Sequence, residues 1–278
     1  MSQTPRVVAC LPAWNAAGFI QRTLEALAAQ TYTNLEVLVS VDQSPDDTAT
    51  VCENFARHDS RFRVVRQRQR LGWIGNVNAL LHLARGNYFF FAFHDDIVLP
   101  EYVASLVDAL EGRPDAISAF TDLELSDLDG RHKTLVYTEL EGVTDPVERA
   151  KRVLWMIGDW WVPHRGLFRA MAAAKIGGLK RNWAGEFSAD WPWQVHMSLL
   201  GEIVRVPRVL CRKFNRVEGV ATSWNRHAGA RLAVAFSCAR EIHQSGLTPA
   251  EKIRLHMTVA SVSRALLADS FAKQTHGG

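Results

Sequence analysis

A wholly apolar run, Tyr88–Phe93, is the feature that most constrains how this chain can fold. Hydrophobic side chains at every position, bounded by turn residues, are typical of a strand that is buried on both faces of a sheet. The run ends on His94-Asp95-Asp96, and in open α/β sheets ligands bind just beyond the carboxyl ends of such strands. Two adjacent carboxylates at that position predict a positive partner, such as a divalent cation completed by phosphate oxygens and water. The alternative is a solvated acidic turn ahead of a helix that begins near Pro100.

The segments around this run alternate between strand and helix patterns. Further strands are predicted at Val7–Leu11, Leu35–Val41, Phe62–Val65 and Ala116–Thr121. Helices are predicted after a cap at Asn15, after a cap at Ser44 with Pro45 in the first turn, over Ile74–Ala84 and over Pro100–Leu110. Strands separated by helices are typical of βαβ units, so the first half is predicted to be one α/β domain with a mostly parallel sheet.

The second half begins with a hairpin signal and ends in helical patterns. Asp129-Gly130 predicts a hairpin turn, and Asp145-Pro146 predicts a helix start. Two helices are predicted at the C-terminal end, Arg226–His243 and Thr248–Phe271, the second opening with a capping box. The apolar stripe of the last helix, expected to pack on the rest of the chain, consists of Ile253, Met257, Ala260 and Leu267. A homodimer interface through these helices, or a contact with a membrane surface, are the alternatives.

Composition excludes several classes of protein. Of the 278 residues 47% are hydrophobic and 22% charged, which is typical of a soluble globular protein, and a net charge of +3 is too small to indicate nucleic-acid binding. The sequence contains neither G-x-G-x-x-G after the first strand nor a G-x-x-x-x-G-K-[ST] phosphate loop. The chain has no signal peptide and no long apolar run, which predicts no transmembrane segment and a cytoplasmic location, with contact to the inner face of a membrane left open. Reduced thiols are expected at the widely spaced Cys10, Cys52, Cys211 and Cys238.

Short blocks in a fixed order carry a resemblance to a known family. They are Leu11–Asn15, Gln30–Val39, Val41–Thr48, Gly72 with Asn78, Arg85–Tyr88, His94–Asp96 with Pro100, Ile176–Leu179 and Ala189–Trp191. From residue 6 to about 215 the chain resembles inverting family 2 glycosyltransferases, which have the GT-A fold and use nucleotide-sugar donors. The chain departs from the family pattern at Gln43, Arg70, Val77, Phe93 and Ala189. Phe93 replaces an Asp of the family's D-x-D-D pattern, and Ala189 replaces the Glu of its E-D motif.

The resemblance implies a fold, a division of the chain and a reaction. The expected fold is α/β of GT-A type, a mixed and mostly parallel sheet flanked by helices, with a C-terminal helical extension. Residues 1–224 would form the catalytic domain, with a nucleotide-sugar-binding half at 1–121 and an acceptor-binding half at 122–224, and residues 225–278 the extension. The expected reaction is a metal-dependent, inverting sugar transfer from a nucleotide sugar, with a UDP-sugar as first choice, to an acceptor hydroxyl. Alternatives are a nucleotidyltransferase and a non-catalytic nucleotide-sugar-binding or scaffold protein.

The resemblance also assigns roles to individual residues. Asp95, supported by Asp96, would hold Mn²⁺ or Mg²⁺ at the donor's diphosphate. Trp14 offers a flat face for the nucleobase and Asp42 an acceptor for a base N–H. The predicted donor-binding set is Pro12, Trp14, Asn15, Asp42, Arg70, Gly72, Asn78, His94 and Asp95.

The proton from the acceptor hydroxyl requires a general base in the second half. The resemblance implies Asp190 as the base, since it stands where the family has the Asp of its E-D motif, with Glu186 as the reserve; the alternative role of Asp190 is an N-cap ahead of Trp191-Pro192. The predicted acceptor-binding residues are Trp161, His164, Arg165 and Trp191. The acceptor itself, whether glycan, lipid-linked, protein or small molecule, is left open.

Overall fold

Nine strands form one sheet in the computed structural model, which describes residues 4–157, 159–215 and 227–275. The strands are β1 Val7–Ala13, β2 Leu35–Val41, β3 Phe62–Arg66, β4 Tyr88–Phe91, β5 Asp96–Val98, β6 Ala116–Ser126, β7 His132–Leu135, β8 Leu167–Arg169 and β9 Glu202–Phe214. Their order is β3-β2-β1-β4-β8-β6-β9-β5, with β7 also on β6. The long ladders among β1 to β4 and between β6 and β9 are parallel, whereas the short ladders made by β5, β7 and β8 are antiparallel.

Helices cover both faces of this sheet. They are α1 Ile20–Ala28, α2 Thr48–Ala56, α3 Gly72–Leu83, α4 Tyr102–Glu111, α5 Pro146–Trp155, α6 Ala170–Ile176, α7 Asp190–Leu200, α8 Ala228–Gln244 and α9 Pro249–Thr275, with a 3₁₀ turn at Pro163–Arg165. Alternate residues of β1 enter two separate cores, because successive side chains of a strand point to opposite faces. Leu11 packs with α1 and α4, whereas Cys10 packs with α3 and α7. The predicted α/β class with a mixed sheet is therefore confirmed.

The central apolar run is a strand buried on both faces, as predicted. Phe90 lies in one core, while Phe89 and Phe91 lie in the other. Strand β4 ends at Phe91, two residues earlier than predicted, because the chain then turns toward β5. The hydroxyl of Thr23 on α1 donates to the carbonyl oxygens of His94 and Asp96, at 2.9 and 3.0 Å, and so fixes the turn that carries the two acids.

Two predicted helix starts are wrong. Asn15 does not cap α1, which begins at Ile20; it has a φ of 49° and its N–H donates to the Ser44 hydroxyl. Ser44 and Pro45 precede α2, which begins at Thr48. The carboxylate of Asp46 explains both results, because it accepts from the Ser44 hydroxyl, from Thr48 and from the backbone of the first loop. Although burial raises the pKa of Asp46, these hydrogen bonds lower it to about 2.

The other predicted helices start slightly before or after their predicted positions, and the predicted turns are present. Helix α3 starts at Gly72, ahead of the predicted Ile74, and α4 starts at Tyr102, after Pro100. The hairpin around Asp129-Gly130 joins β6 to β7, with Gly130 at a φ of +80°. Asp145 caps α5 by accepting from the backbone of Glu148 at 2.7 Å.

The C-terminal helices pack on the rest of the chain through a different stripe from the one predicted. The capping box of α9 is confirmed, since the Glu251 carboxylate accepts from the Thr248 N–H at 2.8 Å. The side chains of Ile253 and Met257 are 61% and 67% exposed, so the predicted stripe is wrong. Instead the buried positions of α9 are Leu255, Val259, Val262 and Leu266. The prediction missed this face because it lies about half a helical turn from the positions that were picked out.

Three further expectations concern the whole chain. The sheet runs from β1 to Phe214, so the two halves share it, and the division at 1–121, 122–224 and 225–278 stays a prediction. All four cysteines lie among the described residues and are free, buried thiols. Within the same residues, none of the helices is both long and apolar enough to span a membrane. Arg226, predicted to open a helix, lies outside the described residues.

Candidate functional site

The two acids after β4 have positive partners within the chain. Asp96 is 5% exposed, and its Oδ2 lies 2.5 Å from Nε of Arg165. The ammonium of Lys213 lies 3.9 Å from Oδ2 of Asp95 and 4.0 Å from Oδ1 of Asp96. Burial alone would raise the pKa of Asp95, but Lys213, His94 and Arg165 hold it below its ordinary value. Asp95 is therefore ionised at neutral pH.

Trp14 and Asp42 lie together at the predicted base site, and Arg70 contacts both. The guanidinium carbon of Arg70 lies 3.7 Å from the centre of the Trp14 ring, and its Nε lies 3.1 Å from Oδ2 of Asp42. The Asp42 carboxylate also accepts from the N–H groups of Gln43, Leu71 and Gly72, at 2.8–3.0 Å. A carboxylate has about four acceptor positions, so three backbone donors leave one position of Asp42, beside which the Arg70 guanidinium lies.

Pro12, Asn15 and His94 border the same edge of the sheet. Pro12 is buried in β1, and its carbonyl oxygen lies 3.0 Å from Nδ1 of His94. A carbonyl only accepts, so this contact requires the proton of the His94 ring to be on Nδ1. Asn15 lies in the loop after β1, where its positive φ brings its N–H to Ser44.

Gly72 and Glu186 form one contact at the start of α3. The Glu186 carboxylate accepts from the N–H groups of Trp73 and Ile74, at 3.1 and 3.3 Å, and pairs with Arg181 at 2.9 Å. Gly72 has a φ of +74°, and a Cβ at this position would lie 2.6 Å from Oε1 of Glu186. Glu186 thus satisfies exposed donors at a helix N-terminus, which is a sufficient structural reason for a carboxylate there.

The side-chain amide of Asn78 is hydrogen-bonded to the protein backbone through both its nitrogen and its oxygen. Its side-chain amide donates to the carbonyl of Leu179 at 2.9 Å and accepts from the N–H of the same residue at 2.8 Å. Gly178 permits this approach, because a Cβ there would lie 2.1 Å from Oδ1 of Asn78. Asn78 therefore clamps α3 to residues 177–179, and its predicted contact with the donor would require this clamp to open.

Asp190, the predicted base, is the first residue of α7 and is partly exposed. Ala189 precedes the helix and no side chain caps it, so the alternative role of Asp190 as an N-cap is wrong. Burial raises the pKa of Asp190 above its ordinary value, and the nearby indole N–H of Trp160 and the charge of Arg165 oppose that rise. Oδ1 of Asp190 has no hydrogen-bond partner among the described residues.

The predicted acceptor residues differ in how open they are. Trp191 is 2% exposed, stacks on Trp160 at 4.7 Å and donates its indole N–H to the carbonyl of Val153, so it presents no open face. His164 is 1% exposed and stacks on Phe91 at 4.8 Å, and burial lowers its pKa to about 3. These two side chains pack the core, in contrast to the predicted contact with an acceptor. Trp161 is partly exposed.

Arg165 contacts both the acidic turn, at Asp96, and the predicted acceptor residue Trp161. Its guanidinium carbon lies 4.7 Å from the Phe93 ring and 4.9 Å from the Trp161 ring, and Nη1 donates to the Trp161 carbonyl at 3.0 Å. The charge of Arg165 acts on Asp190 as well as on Asp95 and Asp96. Of these three acids, Asp96 is the one that contacts the guanidinium directly, at 2.5 Å.

The predicted metal site can be tested against these donors. The described residues contain no group of three or more His, Cys, Asp or Glu side chains arranged to hold a metal ion. Mg²⁺ is commonly held by one or two carboxylates, with water and substrate phosphates completing the shell. Asp95 is ionised, and Oδ1 of Asp96 is buried without a hydrogen-bond partner, whereas Oδ2 of Asp96 is taken by Arg165. Asp95 with one oxygen of Asp96 thus fits a cation that phosphates complete.

Sequence analysis missed two contributors to the site. Lys213 gave no signal that distinguishes it from neighbouring Arg212, since both lie in the polar end of β9. Trp160 gave no signal either, because its place against α7, where it stacks on Trp191, depends on tertiary packing. Only the alternation of β9, read against a known partner strand, could have indicated which of the two cations faces the acids.

Comparison with known proteins gives one family and several relatives. The family model described as "Glycosyl transferase family 2" matches residues 8–170, more than half of the chain. An uncharacterized glycosyltransferase of Haemophilus influenzae is 33% identical over 111 residues, which are 40% of this chain and 34% of that protein. The matched segments span between 14% and 57% of the length of such curated relatives, about a third for most of them.

Two solved structures are similar over almost the whole chain. TarS of S. aureus, residues 1-349 in complex with UDP-GlcNAc, has a TM-score of 0.68 at 17% identity, covering 96% of this chain and 71% of that one. The mannosyltransferase PcManGT of Pyrobaculum calidifontis, in complex with GDP-Man and Mn²⁺, has a TM-score of 0.56 at 16% identity, covering 98% and 76%. At these identities the similarity shows the fold, and the predicted GT-A fold is confirmed.

Proposed function

The chain belongs to glycosyl transferase family 2, and from that premise we propose that it transfers a sugar with inversion from a UDP-sugar to an acceptor hydroxyl. The observation that carries the proposal is the acidic turn after β4, where Arg165 holds Asp96 at 2.5 Å while Asp95 keeps access to solvent. An inverting transfer needs positive charge near the leaving diphosphate and a carboxylate near the attacking hydroxyl. The two parts of the site supply these two requirements separately.

The nucleobase would bind on Trp14 and donate an N–H to Asp42. Backbone N–H groups take three of the acceptor positions of Asp42, so a base can use the remaining one once the Arg70 side chain, whose Nε lies 3.1 Å from Oδ2, has moved aside. Arg70 also covers the Trp14 ring, and its side chain is 40% exposed, so it can swing into solvent. Support for uridine as the nucleoside comes from TarS, whose structure holds UDP-GlcNAc.

The diphosphate would lie beside Asp95. A bound Mn²⁺ or Mg²⁺ would supply Lewis-acid stabilisation of the leaving diphosphate, and Asp95 with Oδ1 of Asp96 would hold it. Support comes from PcManGT, whose structure contains Mn²⁺ with GDP-Man. Arg165 keeps Asp96 in place, while the Thr23 hydroxyl keeps the turn in place.

The transfer itself would use Asp190 as general base. The acceptor oxygen attacks the anomeric carbon and passes its proton to the Asp190 carboxylate. The bond from that carbon to the phosphate oxygen breaks, and its electron pair leaves with the diphosphate. Attack from the face opposite the leaving group inverts the anomeric centre. A raised pKa makes Asp190 a stronger base than an ordinary aspartate, provided that the pH keeps it ionised.

The acceptor would approach from the side of Trp161, whose partly exposed ring can pack against the C–H face of a sugar. Arg165 lies between that ring and Asp96, so its effect on the acceptor is to fix the wall of the cleft.

Calorimetric titration with UDP, GDP and their sugars, with and without Mn²⁺, tests this proposal. We expect UDP and one UDP-sugar to bind more tightly with Mn²⁺ than without it, and to raise the thermal midpoint by mass action. Trp14→Ala and Asp42→Ala should weaken UDP binding. Absence of nucleotide binding under all of these conditions would refute the proposal, and would favour a scaffold protein.

A further inference from the structure

Lys213 stands between the two acids without a hydrogen bond to either of them. It lies near the end of β9, in register with Asp96 on β5. Its ammonium is 3.9 Å from Oδ2 of Asp95 and 4.0 Å from Oδ1 of Asp96, both beyond hydrogen-bond length. Lys213 and Asp95 have similar exposures, 20% and 21%, so both can reach solvent. The ammonium thus acts on two carboxylate oxygens by charge alone.

Arg165 differs from Lys213 in being fixed. Its Nε pairs with Asp96, its Nη1 donates to a carbonyl, and its guanidinium carbon lies 4.7 and 4.9 Å from the centres of two aromatic rings. A lysine ammonium is a compact charge on a flexible stem with three rotatable donors. Of the two cations at the acidic turn, Lys213 is therefore the one that can move.

We propose that Lys213 is a mobile counter-ion. Before the donor binds, its ammonium neutralises Asp95 and Asp96; once the donor is bound, the side chain moves so that the ammonium pairs with the donor's diphosphate. The inference rests on the proposed function, because it takes the diphosphate to bind beside Asp95. A divalent cation held by the two oxygens that Lys213 now faces would repel the ammonium. The diphosphate supplies new negative charge close by, and the released ammonium can pair with it.

The proposal predicts opposite effects of one substitution. In Lys213→Met the ammonium that competes for the acids is gone, so Mn²⁺ alone should bind more tightly, by about tenfold. The same substitution removes a contact to the diphosphate, so UDP should bind about tenfold more weakly at saturating Mn²⁺. Lys213→Arg keeps the charge and should lie between Lys213→Met and the wild type in both measurements.

Arg212 provides the matched control. It is the adjacent residue of β9, so its side chain leaves the strand on the opposite face, and it pairs with Glu124 at 3.2 Å. Arg212→Met removes the same charge from the same strand. It should leave both the Mn²⁺ and the UDP affinities within about twofold of the wild type.

The experiment measures Mn²⁺ affinity by electron paramagnetic resonance without nucleotide, and UDP affinity by calorimetry at saturating Mn²⁺. Opposite changes in Lys213→Met, absent from Arg212→Met, support the proposal. Unchanged affinities, or a loss of both together, would overturn it, since a merely structural role of Lys213 predicts such parallel losses. If the wild type binds UDP and Lys213→Met binds it equally well, only this inference fails. If the wild type binds no nucleotide, the proposed function fails with it.

Discussion

Replacing Arg70 by alanine should strengthen nucleotide binding, although it removes a positive charge from a site for an anion. Arg70 occupies the two places that a nucleobase would occupy: its guanidinium carbon lies 3.7 Å from the centre of the Trp14 ring, and its Nε forms an ion pair with Oδ2 of Asp42 at 3.1 Å. A base that binds there must first displace the guanidinium. In Arg70→Ala nothing has to be displaced, so the free energy of that displacement is no longer lost.

The magnitude follows from the two contacts. A cation–π contact at an exposed site contributes about 0.5–1 kcal/mol. An exposed ion pair contributes about 0.2–1 kcal/mol, and the lower values suit Arg70 because its side chain is 40% exposed. With the lower ion-pair values their sum is roughly 0.7–1.5 kcal/mol, which corresponds to an increase in UDP affinity of about 3- to 12-fold.

Calorimetric titration of UDP at fixed Mn²⁺ measures the effect. Arg68→Ala is the control, since Arg68 is an exposed arginine of the same loop and its loss changes the net charge equally. The control should bind UDP as the wild type does, or slightly more weakly. A decrease in affinity in Arg70→Ala would show that Arg70 contacts the bound nucleotide directly, and it would refute the displacement argument.

Three other predictions concern the metal, a backbone clamp and pH. Asp95→Asn should abolish Mn²⁺-dependent UDP binding and transfer, with an unchanged circular dichroism spectrum; unaltered metal dependence in calorimetry would contradict the assignment. Gly178→Ala should break both hydrogen bonds between Asn78 and the backbone, and should lower the free energy of unfolding in urea by about 1–3 kcal/mol. If the double variant Gly178→Ala with Asn78→Ala loses no more unfolding free energy than Gly178→Ala alone, the shared cause is confirmed. If the losses of the two single variants add, it is excluded. Burial raises the pKa of Glu241, but the hydrogen bond from His196 and the adjacent charges outweigh burial and hold this pKa below the ordinary 4.5. The ionised Glu241 therefore stabilises the fold at neutral pH, and this stabilisation is lost as the pH falls below about 4.5. Glu241→Gln should lack that acid-dependent loss in thermal melts, and a melt with the wild-type pH dependence would show that another group is responsible.

The sheet could be predicted because its signals are local and consistent. The run Tyr88–Phe93 is apolar at every position, which only a strand with two buried faces requires. The capping box at Thr248 and the cap at Asp145 also lie within one helical turn of the residues that they bind. Such signals need no knowledge of the rest of the fold.

The wrong helix starts had a tertiary cause. Asn15 and Ser44 each have the side chain of a good N-cap, yet they bind one another across two loops, and Asp46 organises both. The predicted stripe on α9 failed for a related reason. Met257 fits helical spacing, but which face of a helix is buried depends on where its neighbours lie.

Only part of the candidate site could be predicted. Its carboxylates can be picked out from the sequence, whereas the side chains that pair with them cannot. Asp95 was proposed from its place after a strand, and Asp190 from its match to the Asp of the family's E-D motif. Arg165 is separated from Asp96 by 69 residues, and the alignment that brings them together depends on how β4 and β8 pair. The sequence also could not show that Arg70 covers the proposed base site, because side-chain contacts between loops leave no periodic pattern.

Release of UDP from UDP-sugars, measured for the wild type and for Asp190→Asn and Glu186→Gln, tests the central claim most directly. Asp190→Asn should bind UDP and Mn²⁺ as the wild type does, but should release UDP about 10² to 10⁴ times more slowly, because only the general base is lost. Glu186→Gln should retain nearly all turnover, since Glu186 holds the first N–H groups of α3 and its weakening affects stability by about 1 kcal/mol. The reverse result, with turnover retained in Asp190→Asn and lost in Glu186→Gln, would contradict the account and assign the base to Glu186.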